Sequence, residues 1–129
     1  MKTIYFYKYY IFLLLVLSFV HASVSGGAKR TLKVTATAYN SVPSQTDSTP
    51  DIAAWGDKLV PGMKAIAVSR DLLSKGLGRG TKVKIAGMPG TYTVLDKMNR
   101  RWRRKIDIYM GVDIKAAKQW GKRDVRIQW

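Results

Sequence analysis

From Thr31 onward, apolar residues recur mainly at every second position, the period of a strand with one face buried. Leu32, Val34, Ala36 and Ala38 alternate with Thr31, Lys33, Thr35 and Thr37, which predicts a strand over Thr31–Tyr39. Ala65–Ser69 reads as a short apolar strand, and Val83 and Ile85 alternate with lysines across Thr81–Ala86. Two more apolar pieces follow, Thr91–Leu95 and Ile106–Met110, and Val125, Ile127 and Trp129 alternate in a last strand. Helical signals are brief. Asp71–Lys75 makes one turn stopped by Gly76, and Asp113 is placed to cap a helix over Ile114–Trp120 that Gly121 ends. Asn40–Asp51 is rich in Ser, Thr, Pro and Asp and reads as a loop, and turns are expected at Val60–Gly62, Gly76–Gly80 and Gly87–Gly90. Repeats and heptads are absent from the sequence. Many short strands with close turns predict a mainly β domain, a small barrel or sandwich. The lone helix before the final strand implies a crossover, hence a mixed barrel.

The N-terminus breaks this pattern. Lys2 and Lys8 precede an apolar run, Tyr9–Val20, and Val20-His21-Ala22 has the small-residue character of a cleavage site. That is the layout of a secretory signal peptide. The run is short for a span, which takes about 20 residues, and an uncleaved anchor is the competing reading. The expected organisation is a signal peptide over residues 1–22, a flexible lead-in over 23–30 and a single domain over 31–129. With no Cys in the chain, neither a lipidated Cys nor a disulfide is available, and the exported domain must hold together by packing.

Subtraction narrows the chemistry. The single His, His21, lies in the segment expected to be removed, and the sequence contains neither Cys nor Glu. A Ser-His-Asp triad, a Cys-His pair and a His- or Cys-ligated zinc site are excluded. Every carboxylate side chain is one of eight aspartates. Acid–base work falls to Asp, with Tyr or Lys as weaker candidates. No metal or cofactor is expected.

Charge adds a partner class. The formal net charge is +15, and removing Lys2 and Lys8 leaves +13. Such a protein concentrates on polyanions; for an exported one these are anionic wall and envelope polymers rather than a specific nucleic acid. Six of the cations crowd Lys97–Lys105 around Trp102. An aspartate stands at each shoulder of that loop, Asp96 and Asp107. If the flanking pieces pair as neighbouring strands, both carboxylates come to one end of the sheet. Two adjacent carboxylates cannot both ionise easily, so one holds a proton near neutral pH, as cleavage of a glycosidic bond requires. The plainer reading is that both neutralise the basic loop. Trp102 suits stacking on a sugar or a base. Trp55, Trp120 and Trp129 read as core or barrel-end residues.

Thr35-Ala36-Thr37-Ala38-Tyr39, Ala53-Ala54-Trp55-Gly56, Ile66-Ala67-Val68, Gly80-Thr81-Lys82-Val83, Asp96, Ile106-Asp107-Ile108-Tyr109 and Trp120-Gly121-Lys122-Arg123 follow one another in a known order. Over Thr31–Trp129 the chain resembles the three-aspartate (3D) domain of stationary-phase survival proteins and of membrane-bound lytic transglycosylase A. The resemblance implies a small six-stranded double-psi β-barrel with one or two short helices. It also implies a monomer that cleaves peptidoglycan glycan strands between N-acetylmuramic acid and N-acetylglucosamine, leaving a 1,6-anhydro product. By position Asp107 matches the catalytic acid and Asp96 its supporting aspartate. Tyr39, Thr46, Lys97, Asn99, Trp102 and Tyr109 are the candidate substrate contacts. Ser69 stands where the family's first aspartate would be, with Asp71 two residues on, and Asp96-Lys97-Met98-Asn99 replaces its Asp-Thr-Gly-Gly. The alternatives are a non-catalytic, expansin-like wall-binding module and a nucleic-acid binder.

Overall fold

The computed structural model describes residues 27–42 and 49–129. The expected signal peptide, residues 1–22, and the candidate contact Thr46 lie outside them. Six strands are present: β1 Thr31–Tyr39, β2 Ala65–Val68, β3 Lys82–Ile85, β4 Tyr92–Lys97, β5 Lys105–Tyr109 and β6 Arg123–Gln128. They close into a barrel in the order β1-β5-β2-β4-β3-β6. β1 runs parallel to β5 and β2 to β4, while the other neighbours are antiparallel. The fold is therefore a mainly β, six-stranded, closed mixed barrel with two short helices, compatible with a double-psi arrangement.

Alternation fills the interior. Val34, Ala36, Ile66, Val68, Val83, Ile85, Val94, Ile106, Ile108 and Ile127 all point into one core and are almost fully buried. Each such aliphatic side chain contributes roughly 1.5–3 kcal/mol by leaving water. A 3-10 turn at Arg70–Lys75 ends at Gly76, whose φ of 90° suits a residue without Cβ. Helix α1, Ile114–Trp120, is capped by Asp113, whose side chain accepts from the Ala116 N–H at 2.9 Å. Trp120 closes the barrel by donating its indole N–H to Ala36 O, and Trp129 donates to Lys75 O. Arg30, at the end of the expected lead-in, exchanges backbone hydrogen bonds with Trp129.

One expectation is corrected. β4 and β5 are not neighbours, because β2 lies between them. All four residues of β2 are buried. A strand apolar on both faces takes a central position, where partners on either side satisfy its backbone. Both ends of the basic loop are then tied to the end of β2. Met98 N donates to Val68 O, and Ser69 N donates to Lys105 O.

Candidate functional site

β2 does not separate the two aspartates; it aligns them. Ala67 of β2 is the cross-strand partner of Asp107 on one side and of Asp96 on the other. Asp107 is in turn the partner of Thr37 on β1. Partners in register share a face, so Thr37, Asp107, Ala67 and Asp96 form one row on the barrel's outer wall. Both aspartates lie within strands rather than at their shoulders.

The register between β2 and β4 is what brings Asp96 into that row. It slips by one residue between the Ile66–Val94 pair and the Ala67–Asp96 pair, leaving Leu95 as the extra residue. Strict alternation from the inward Val94 would have turned Asp96 into the core. Instead Leu95 joins a second apolar cluster outside the barrel, formed by Ala53, Leu59, Ala65 and Tyr109 with Tyr39. The segment around Ala53–Leu59 thus roofs this wall. It is braced by Ala53 N to Asp57 O, Leu59 N to Asp51 O and a bridge between Ile52 and Lys58.

The two carboxylates have different surroundings. Asp96 Oδ1 accepts from the Ala54 N–H at 2.7 Å and from its neighbour Lys97 N–H at 2.9 Å. Its Oδ2 receives a long hydrogen bond, 3.4 Å, from the Tyr39 hydroxyl. Among the described residues, Asp107 accepts from the Thr37 hydroxyl alone, at 2.9 Å on Oδ1. Burial pushes the Asp107 carboxyl up to about 6, against the pull of the Thr37 hydrogen bond and of Lys105, and with a further push from Asp96. Burial, then the charges of Asp96 and Asp107, also raise the Tyr39 phenol, which stays protonated as a donor.

The other candidates fall into place around this row. Tyr39 donates to Asp96, and its ring lies 5.5 Å from that of Tyr109. Tyr109 is enclosed beneath them, with its hydroxyl 2.8 Å from that of Ser41, so it packs rather than faces outward. Lys97 lies with its ammonium 5.3 Å from the centre of the Trp55 ring. Trp102 is 37% exposed on the basic loop and carries Lys105 at 3.6 Å and Arg101 at 4.7 Å. Asn99 shapes that loop, its side chain accepting from the Arg101 N–H. Neither Asn99 nor Trp102 touches the aspartate pair directly.

Ser69 and Asp71 lie at the base of the loop, apart from the pair. The buried Ser69 hydroxyl accepts from Lys105 N, and Asp71 Oδ2 accepts from Arg104 N. Burial alone would raise the Asp71 carboxyl, but Ser69, the Arg104 N–H and the charge of Arg103 together hold it low.

Sequence reasoning did not single out Thr37, Ala67, the Ala54 N–H or Trp55 as parts of the site. Thr37 was legible as a polar position on β1, two residues before Tyr39. The roofing of the row by residues 53–59 had no signal in the periodicity.

Three cavities among the described residues lie away from the row. One of about 590 Å³ and an adjoining one of about 200 Å³ sit along β3 and β6, and one of about 280 Å³ lies between Lys64, Tyr92 and Gly111. None of the three is lined by Asp96 or Asp107, whose partly exposed row sits on the wall instead. Three potential metal ligands do not come together among the described residues. The row offers a protonatable carboxyl beside a second, hydrogen-bonded one. No protein-family model matches the chain, and no curated protein matches it at a significant level of similarity.

Proposed function

We propose that the chain is an exported, three-aspartate-like double-psi barrel that cleaves peptidoglycan as a lytic transglycosylase, with Asp107 as the acid–base group. One observation carries this reading: Asp107 sits half-buried in a row with Asp96, and its carboxyl is raised to about 6. A carboxyl of that strength keeps a share of its proton near neutral pH and can give it up in a transition state.

In the proposed reaction Asp107 passes its proton to the glycosidic oxygen as the bond to the muramic C1 breaks. The resulting carboxylate takes the proton of the muramic C6 hydroxyl, whose oxygen attacks C1. The acid is regenerated, a 1,6-anhydro end forms, and no water is consumed. One acid–base group suffices because the substrate supplies the nucleophile, in keeping with a sequence that lacks Glu and Cys. Asp96, fixed by the Ala54 and Lys97 N–H groups, supports the proton on Asp107 through its charge. The cations of Lys97–Lys105 suit the carboxylates of the wall polymer.

Digestion of purified sacculi followed by mass spectrometry tests the reading. Anhydro products are expected, and Asp107→Asn should lower their release by about 10²–10⁴-fold while leaving the fold intact. Activity should fall about tenfold per pH unit above about 6, as the Asp107 carboxyl loses its proton. Products one water heavier, or no products from the wild type, would refute the reading.

A second reading, a non-catalytic wall-binding module, is favoured by the exposed Trp102 on the basic loop, flanked by Arg101 and Lys105. It expects salt-sensitive pelleting with sacculi, no product, and weaker binding once Arg100, Arg101, Arg103 and Arg104 are neutralised.

A further inference from the structure

We infer that the β3–β6 side of the barrel is a binding site for a linear phosphodiester polymer that carries no bases, separate from the aspartate row. The register assembles it. Val83 and Ile85 point into the core, so Lys82 and Lys84 stand outside on β3. Lys84 pairs with Gln128 on β6, Gln128 pairs with Thr31 on β1, and Arg126 follows two residues before Gln128. The cavities of about 590 and 200 Å³ share Lys84, Thr91 and Gln128, so they form one continuous depression. Lys82 and Lys29 extend it at the end near Trp129.

The charge on this wall is available to a ligand. Among the described residues, the ion pairs are Lys33–Asp124, Lys58–Asp51 and Arg79–Asp57. Lys84 and Arg126 therefore have no carboxylate partner, and Lys82 donates only to the Thr93 hydroxyl. Lys, Arg, Gln and Thr side chains are the donors that phosphate oxygens take. Lys82 and Lys84 lie two strand residues apart, about 6.6 Å. That is on the scale of the spacing of successive phosphates joined by a three-carbon linker. Met88 and Ala86 line the depression beside them and offer apolar surface to such linkers.

The same wall is poorly equipped for bases or sugar rings. Its aromatic residue, Trp129, has the Arg30 guanidinium 5.9 Å from its ring centre and its indole N–H bound to Lys75 O. A base-stacking platform needs an open ring face. Asp124, a carboxylate near this wall, is engaged by Lys33 and the Thr35 hydroxyl. A flexible phosphodiester chain asks for none of these features.

Calorimetric titration of the purified chain with short synthetic poly(glycerol phosphate) tests the site whether or not the aspartate row is catalytic. Lys84→Gln combined with Arg126→Gln should weaken binding about tenfold and reduce the slope of log K against log salt by about 1.4, roughly 0.7 for each phosphate left without its cation. Lys115→Gln with Lys118→Gln removes the same charge from exposed positions on α1 and should leave affinity within about twofold, as expected of exposed charges beyond a screening length. Equal weakening by that control pair would mean that overall charge alone attracts the polymer, and would overturn the site. Unchanged binding by the groove variant would overturn it too. So would oligothymidylate or polygalacturonate binding as tightly as poly(glycerol phosphate).

Discussion

On the wall built from β1, β5, β2 and β4, the outward residues Tyr39, Ala65, Leu95 and Tyr109 are covered by Ala53 and Leu59. On the side of β3 and β6, Lys82, Lys84 and Arg126 stand in solvent. Both walls use the same alternation of inward and outward residues, and both belong to a strongly basic chain. What differs is the covering. Water screens the exposed cations, so even the six of the Lys97–Lys105 loop do not hold Asp107 down. Burial acts locally and outweighs them, raising the Asp107 carboxyl to about 6. Charge state on this barrel follows coverage more than it follows net charge.

The sharpest way to break that contrast is to remove the roof. Leu59 is 2% exposed and anchors the outer cluster. Leu59→Ala should destabilise the protein by about 3–4 kcal/mol, within the range for truncating a buried leucine. It should also admit water to the row and bring the Asp107 carboxyl down from about 6 towards its ordinary 3.8. Urea denaturation reads the first effect, and carboxyl-carbon NMR titration reads the second. Stability lost while the Asp107 titration stays put would mean that the roof is not what desolvates the acid.

Asp107→Asn sharpens the contrast from the other side. The folded state holds the Asp107 proton more tightly than the unfolded chain does, about 6 against about 3.8. The stabilisation that this group contributes is full below about 3.8 and is lost as pH rises through about 6. At pH 7 the ionised Asp107 therefore costs the fold about 2–3 kcal/mol, since each pH unit between the two values is worth about 1.4 kcal/mol. Asn has no charge to desolvate and can still accept from Thr37. The variant should be more stable than the wild type at pH 7 by that order, with the difference vanishing near pH 4. Urea melts at several pH values check it. A gain that does not depend on pH would point to packing instead.

Much of the barrel was legible because alternation is a strong signal. Thr31–Tyr39 and Ile114–Trp120 fall where the pattern puts them, and the remaining strands differ at their ends. Pairing was not legible. Thr91–Leu95 and Ile106–Met110 flank one loop, and short loops join neighbours in most sheets. Here Ala65–Val68, apolar on both faces, takes the place between them. Periodicity says which face a residue is on, but not which strand lies beside it. The meeting of Asp96 and Asp107 was expected from the wrong pairing and arises through Ala67. The slip at Leu95 left no mark in the sequence, since a bulge residue there looks like any other outward leucine. Nor did the roof, whose hold on Asp96 is a backbone N–H that any residue at position 54 other than proline would supply.

The smallest effect is expected on the outer wall near the groove, where Lys33 and Asp124 form an ion pair at 3.8 Å with both side chains more than half exposed. Asp124 also accepts from the Thr35 hydroxyl at 3.2 Å. In water each charge is well hydrated without the other, and holding two side chains in one geometry costs entropy. Lys33→Ala should therefore change stability by no more than about 0.5 kcal/mol, and less in high salt. A change above about 1 kcal/mol in urea melts would show that this wall, like the roofed one, shields its charges from solvent, and the distinction between the two sides would fall.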